Sequence, residues 1–152
     1  MNGSLLAKIV SITKVVKIVV LMEQICVRKA VSDMSYDISF KAKVEGADLY
    51  MKVGECYANT TWNVREMIVK STGLEWVNCA NNGFCKDVIP HIERGYNELT
   101  YYPEKYKKYE AKNGWGTVES TRDFFGEILK AWRDVKLYEP KELIELVTFW
   151  IE

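Results

Sequence analysis

The residues best suited to chemistry lie around His91, the single histidine of the 152-residue chain. A mechanism that needs a histidine general base must use this side chain. Glu93 and Arg94 follow it closely, so this segment, together with Trp115, could hold a small polar or nucleotide-like ligand. We favour the alternative, a hydrogen-bonded structural histidine on a helix, because no nucleophile stands in a recognisable setting beside it. The sequence therefore assigns no catalytic residue and favours a protein that is not an enzyme.

The cysteines and the glycine-containing loops do not match a metal or cofactor site. Cys79, Cys85 and His91 are separated by five residues each, whereas paired zinc ligands usually have two to four residues between them. The loops at 81–83 and 113–116 lack the lysine of a P-loop and the dinucleotide-binding fingerprint. We predict no metal and no cofactor, and we expect four free, mostly buried thiols.

Two tryptophans beside predicted helix starts are candidates for binding a ligand or a partner. Trp115 lies between two glycines in Asn113-Gly114-Trp115-Gly116, and Trp62 precedes Asn63. An indole ring held in such a loop can serve as a stacking platform. The competing role is structural, because the apolar residue before a helix cap often folds back and closes the helix entry against the core. For Trp115 we favour the structural role, and Trp62 has the same two alternatives.

A further candidate is the segment 101–109, in which lysines alternate with tyrosines. Such basic and aromatic interleaving is typical of single-stranded nucleic-acid binders. The tyrosines at 102, 106 and 109 also recur at helical spacing. We therefore favour a solvated lysine face above a tyrosine stripe that packs into the core.

Hydrophobic patterning predicts the strands that position these residues. Residues 36–44 alternate apolar and polar side chains, which predicts a half-buried strand, and the turn at 45–48 leads into the second strand of a hairpin. The β-branched and aromatic residues of 143–151 favour a strand that returns to pair with the hairpin. The predicted fold class is α+β, a small antiparallel sheet of N-terminal hairpin plus C-terminal strand, covered by about four helices.

Helix capping signals predict those four helices between the hairpin and the last strand. Asn63 and Glu66 have capping-box spacing, and Gly73 suits the left-handed position after the first helix. The connection 74–83 reads as irregular, with a turn at 81–83. Pro90 is expected in the first turn of the second helix. The predicted helix starts, in chain order, are Asn63, Asp87, Pro103 and Thr117.

Charge and aromatic content divide the chain before Met34. The 21 Lys plus Arg balance the 21 Asp plus Glu, but residues 1–33 hold five basic and two acidic side chains and no aromatic one. They therefore carry +3, and residues 34–152 carry −3. We predict that 1–33 is a weakly ordered leader or upstream extension and that 34–152 is a single domain. Lysines inside the apolar stretch of the leader argue against a membrane span, and the acidic body makes nucleic acid an unlikely partner.

Four motifs lie in residues 34–152, namely Tyr36-Asp37-Ile38-Ser39-Phe40, Asn59-Thr60-Thr61-Trp62-Asn63-Val64, Pro103-Glu104-Lys105-Tyr106 and Asn113-Gly114-Trp115-Gly116-Thr117. Through these motifs, residues 34–152 resemble a group of small uncharacterised bacterial and phage or prophage proteins. The resemblance implies a bacterial or phage setting, a cytoplasmic location and an initiator near Met34, and it assigns no activity.

These observations favour a small cytoplasmic protein-interaction module that acts on a host protein. Tyrosine and tryptophan are common binding anchors, and all the aromatic residues lie after Met34. The alternatives are an enzyme or binder of a small polar or nucleotide-like ligand, and a single-stranded nucleic-acid binder. The candidate site residues are Trp62, Asn63, His91, Glu93, Arg94, Asn113 and Trp115.

Overall fold

The computed structural model describes residues 35–152, and the predicted leader, 1–33, lies outside the described residues. Five strands and five α-helices give the predicted α+β class. The strands are β1 (Ser35–Lys43), β2 (Tyr50–Lys52), β3 (Asn59–Thr61), β4 (Ala80–Phe84) and β5 (Val147–Ile151). The helices are α1 (Arg65–Thr72), α2 (Cys85–Tyr101), α3 (Pro103–Tyr106), α4 (Val118–Tyr138) and α5 (Lys141–Ile144).

The strands form one antiparallel sheet around β1. The order is β2-β1-β5-β4, and β3 pairs with the start of β1. The apolar face predicted for β1 is confirmed, since its even-numbered residues from Tyr36 to Ala42 are buried, but Ser39 of the predicted polar face is buried as well. The predicted return strand is confirmed over Val147–Ile151, with Phe149 of β5 opposite Phe40 of β1, whereas Leu143 and Ile144 belong to α5 and not to the strand. Phe40 also packs edge-on against Trp132 of α4, at 5.7 Å between ring centroids, which joins the sheet to the helices.

Two strands are absent from the sequence prediction. The connection predicted to be irregular contains β4, whose polar segment Asn81-Asn82-Gly83 is not a simple turn. It pairs with β5 and shifts register between Asn81 and Phe84. The short strand β3 lies where we expected only the approach to a helix. Both strands are held by backbone pairing rather than by an apolar face.

The first predicted helix start is wrong, and its end is confirmed. Thr61, not Asn63, accepts the capping hydrogen bond, from the Asn63 N–H at 3.4 Å, and a 3₁₀ turn precedes α1. The first residue of α1 is Arg65, and no side chain caps this helix. Gly73 ends it in the left-handed conformation at φ 74°. The second helix begins at Cys85 rather than after Asp87, so Pro90 lies beyond the first turn.

The long helix α4 starts as predicted. The Thr117 hydroxyl accepts the Ser120 N–H at 3.0 Å, and the Ser120 hydroxyl accepts the Thr117 N–H at 2.9 Å. This reciprocal cap satisfies two backbone donors. Helix α4 then packs on α2, where Gly95 lies against Phe125. Within residues 35–152, no helix has the length and apolar character to cross a membrane.

Candidate functional site

The predicted site residues fall into two groups at opposite ends of α1. Trp62 and Asn63 lie just before this helix, and the loop that carries Asn113 and Trp115 packs against the same end. The contact is made by Gly116, whose backbone lies against the side chains of Thr61 and Val64. We call Trp62, Asn63, Asn113 and Trp115 the tryptophan surface.

The loop of Trp115 is held in place by local hydrogen bonds. The Asn113 side-chain oxygen accepts the Trp115 N–H at 3.0 Å. The Ala111 N–H donates to the Gly116 carbonyl, also at 3.0 Å, which closes the loop. Gly114 and Gly116 have φ values of 76° and 110°, which side chains other than glycine rarely adopt. The loop therefore presents Trp115 from a defined backbone.

Both tryptophans of this surface are exposed to solvent. The exposed fraction is 71% for Trp115 and 49% for Trp62. The structural role that we favoured for Trp115 is therefore wrong, because the ring does not close the helix entry against the core. The buried apolar residues at the two helix entries are Val64, just before α1, and Val118, the first residue of α4. No hydrogen bond to either indole N–H is present within the described part of the chain.

His91, Glu93 and Arg94 form the second group, on an exposed stretch of α2. His91 Nδ1 lies 3.1 Å from the Thr72 carbonyl oxygen, at hydrogen-bond distance, which supports a structural role. Arg94 approaches Gly73, so both side chains lie at the C-terminal end of α1. The eight residues of α1 separate this end from the tryptophan surface by about 12 Å. The structure does not bring His91, Glu93 and Arg94 together with Trp115.

Two of the cysteines are buried thiols of low reactivity. Cys56 and Cys85 are free, and burial raises the pKa of both thiols, which disfavours the reactive thiolate. Cys79 is disulfide-bonded, so the expectation of four free thiols is wrong for this residue. No cluster of histidine, cysteine and carboxylate residues suited to a metal ion occurs in the described ranges.

The lysine and tyrosine segment is partly a structural element. Tyr106 is buried and donates its hydroxyl proton to Glu98 at 2.6 Å. Lys105 pairs with the same carboxylate at 2.8 Å, and Lys107 pairs with Glu104 at 2.6 Å. These pairs neutralise two of the three lysines of the segment. Tyr101 and Tyr102 remain exposed. The other two tyrosines that could stack on bases pack against the core, Tyr106 fully and Tyr109 in part.

A groove on the sheet was not predicted from the sequence. It has a volume of about 890 Å³ and lies between the 43–50 turn and the end of β4, with Tyr50, Phe84 and Leu146 among its apolar lining. Beside it, Trp150 packs edge-on to Tyr50 at 5.0 Å and donates its indole N–H to Thr148 at 2.8 Å. Prediction of this groove would have required β4, which forms one of its walls.

Comparison with known proteins adds no assignment. The chain has no significant match to a protein-family model, to a curated protein or to a solved structure.

Proposed function

We propose that this chain is a small cytoplasmic protein of bacterial or phage type that acts by binding a host protein through the tryptophan surface. The observation that carries the proposal is the exposure of Trp62 and Trp115 on two loops that pack against each other. Large apolar rings in solvent cost free energy unless something covers them, and a protein partner would bury both at once.

The chemistry of the two side chains supports a protein partner. Tryptophan is among the residue types most enriched in the energetic centres of protein interfaces, where it is desolvated and well packed. It has few rotatable bonds, so its immobilisation costs less entropy than that of a long flexible side chain. The rigid loop around Trp115 reduces this cost further, because its backbone is already ordered.

The charge of the body also supports a protein rather than a nucleic acid. Residues 34–152 carry −3, and the described tryptophan surface contains no charged residue. A nucleic-acid site requires several cationic groups to replace the counterions of the phosphates. The tryptophan surface has none of its own, and Lys112, beside Asn113, adds one rather than several.

Site-specific photocrosslinking in bacterial cells tests the proposal. A photoreactive amino acid is placed at Lys112, an exposed position one residue before Asn113, in the full chain. The control position is Leu137, 71% exposed near the end of α4. We expect a discrete crosslinked protein from position 112 only, lost when Trp115→Ala is added. The same products from both positions, or products that persist without both tryptophans, would contradict the proposal.

The groove supports a second candidate, the binding of a small polar or nucleotide-like ligand. Its volume is within the usual range for small-molecule sites, and its lining combines aromatic rings with the polar side chain of Asn81. Titration of the full chain with adenosine monophosphate, followed by NMR, should shift the amide signals of Asn81 and Gly83. Unchanged signals at millimolar nucleotide would count against a nucleotide in this groove.

A further inference from the structure

We propose that Asn113 is a deamidation site, at which the side-chain amide is lost as ammonia and a carboxylate takes its place. The chain holds three Asn-Gly pairs, at 2–3, 82–83 and 113–114, and the first of them lies outside the described residues. Asparagine followed by glycine is especially prone to this reaction, because glycine has no Cβ atom to hinder the approach of its backbone nitrogen. The site does not depend on what the tryptophan surface binds.

The reaction needs only water besides the chain itself. The Gly114 backbone nitrogen loses its proton to solvent and attacks Asn113 Cγ, so a new C–N bond closes a succinimide ring. The bond between Cγ and the amide nitrogen then breaks, and ammonia leaves with a proton taken from solvent. Water adds to either carbonyl of the succinimide, which gives aspartate or isoaspartate. No group is oxidised or reduced, and the product places a negative charge beside Trp115.

The loop leaves this Asn-Gly pair accessible. Asn113 and Gly114 are both exposed, and nothing lies within 4 Å of the position that a Cβ atom at Gly114 would occupy. The Asn113 side-chain oxygen accepts the Trp115 N–H at 3.0 Å, and its amide nitrogen makes no hydrogen bond within residues 35–152. The Gly114 N–H donates to the Ala111 carbonyl at 3.0 Å. One backbone hydrogen bond must therefore open before the nitrogen can attack.

The electrostatics of the loop favour the intermediate of this reaction. The attack puts negative charge on the Asn113 side-chain oxygen, the atom that already accepts the Trp115 N–H. A donor held where charge develops stabilises the transition state. Lys112, the one charged side chain in residues 111–116, is exposed, and its positive charge acts in the same direction.

The pair Asn82-Gly83 has the same sequence in a protected setting, within β4. The Asn82 side-chain oxygen accepts the Val77 N–H at 3.0 Å, and its amide nitrogen donates to the Val77 and Ala80 carbonyls at 2.8 and 3.0 Å. Turning this amide toward Gly83 breaks three hydrogen bonds, whereas turning that of Asn113 breaks at most one. The two pairs should therefore differ in rate although their sequences are alike.

Prolonged incubation of the full chain at pH 8, followed by peptide mapping with mass spectrometry, tests the inference. We expect Asn113 to be converted at least about fivefold faster than Asn82 in native buffer, because fewer hydrogen bonds oppose the attack. In denaturant the two rates should converge, since the bonds that protect Asn82 are lost. Gly114→Ala should suppress conversion of Asn113 and leave the rate at Asn82 unchanged. Thermal unfolding verifies that this variant is folded.

Three results would overturn the inference. The first is conversion of Asn82 as fast as Asn113 in native buffer, and the second is an intact Asn113 after a time in which the denatured chain reacts. The third is a rate at Asn113 that Gly114→Ala does not change, because the attacking atom would then not be the glycine nitrogen. Aspartate and isoaspartate at position 113, formed before any product at Asn82, are the result that supports it.

Discussion

Gly116 lies in direct contact with Val64, so closely that a Cβ atom at position 116 would overlap the valine Cγ1. Val64 is fully buried at the entry to α1, and Gly116 immediately follows the exposed Trp115. One backbone contact thus joins two loops that are 52 residues apart in the chain. It links the loop of Trp115 to the buried core at Val64.

Gly116→Ala should destabilise the fold. The added methyl group meets Val64 and also lies 3.1 Å from Thr61 Cγ2, and the φ of 110° is unfavourable for alanine. Overpacking and backbone strain together predict a loss of about 2–4 kcal/mol in the free energy of unfolding, measured by chemical denaturation. Gly114→Ala is the control, because it has a positive φ but open space, and should cost about 1 kcal/mol. Equal losses for the two variants would contradict a contact at Gly116.

The helix pair α2 and α4 offers a second comparison of glycines. A methyl group at Gly95 would stand 2.7 Å from Thr72 Cγ2 and 2.8 Å from Phe125 Cε2, whereas one at Gly126 would meet its nearest neighbour at an ordinary 3.5 Å. Gly126→Ala should stabilise the protein by about 0.5–1 kcal/mol through helix propensity. Gly95→Ala should destabilise it by about 1–2 kcal/mol despite the same gain in helix propensity, because α2 must move away from Thr72 and Phe125 to admit the methyl group. A stabilised Gly95→Ala variant would contradict this prediction, because it would show that the neighbouring helices can shift at little cost.

Stability should fall in acid partly through Glu98. Hydrogen bonds from Lys105 and Tyr106 hold the pKa of this carboxyl below its ordinary value of 4.5. The folded state therefore favours the carboxylate. The contribution of Glu98 to the free energy of unfolding is complete above pH 4.5, and it is lost as the pH falls through the lower, folded-state pKa. We expect the free energy of unfolding of Glu98→Gln to fall less between pH 5 and pH 3 than that of the wild type, by about 0.5–1 kcal/mol. Glu142→Gln, at an exposed position on α5, should retain the wild-type slope.

Cys85 should resist thiol reagents in the folded protein. It is completely buried, and desolvation raises its pKa, so little thiolate is present and no reagent reaches it. Alkylation by iodoacetamide at pH 8, followed by mass spectrometry, should be at least about 100-fold slower in native buffer than in denaturant, since it requires unfolding. Rapid labelling of Cys85 in native buffer would show local opening at the start of α2.

The strands and helices that could be predicted are those whose own residues show a local sequence pattern. The alternation of β1 and the β-branched residues of β5 identify strands, and Thr117 can cap a helix through its own hydroxyl. The polar strand β4 carries no such signal, because its backbone hydrogen bonds to β5 depend on a partner more than 60 residues away. Its absence from the prediction also concealed the groove, which needs Phe84 as a wall.

The exposure of the tryptophans could not be predicted from the sequence for a different reason. A tryptophan before a helix cap looks the same whether it faces the core or the solvent. The outcome depends on which side chains fill the core. Here Trp76 is buried and contacts Tyr36, Phe124 and Phe149 edge-on, whereas Trp62 and Trp115 are exposed. Competition among distant side chains for one volume is not visible in local spacing.

The assignment of Trp115 to binding rather than to folding is tested most directly by the free energy of unfolding of Trp115→Ala, measured by chemical denaturation beside Trp76→Ala. Trp76 is 2% exposed, so its truncation should cost about 3–5 kcal/mol. Trp115 is 71% exposed, so its truncation should cost less than about 1 kcal/mol. A loss above about 2 kcal/mol for Trp115→Ala would show that this ring packs into the fold and would contradict its role as a binding group.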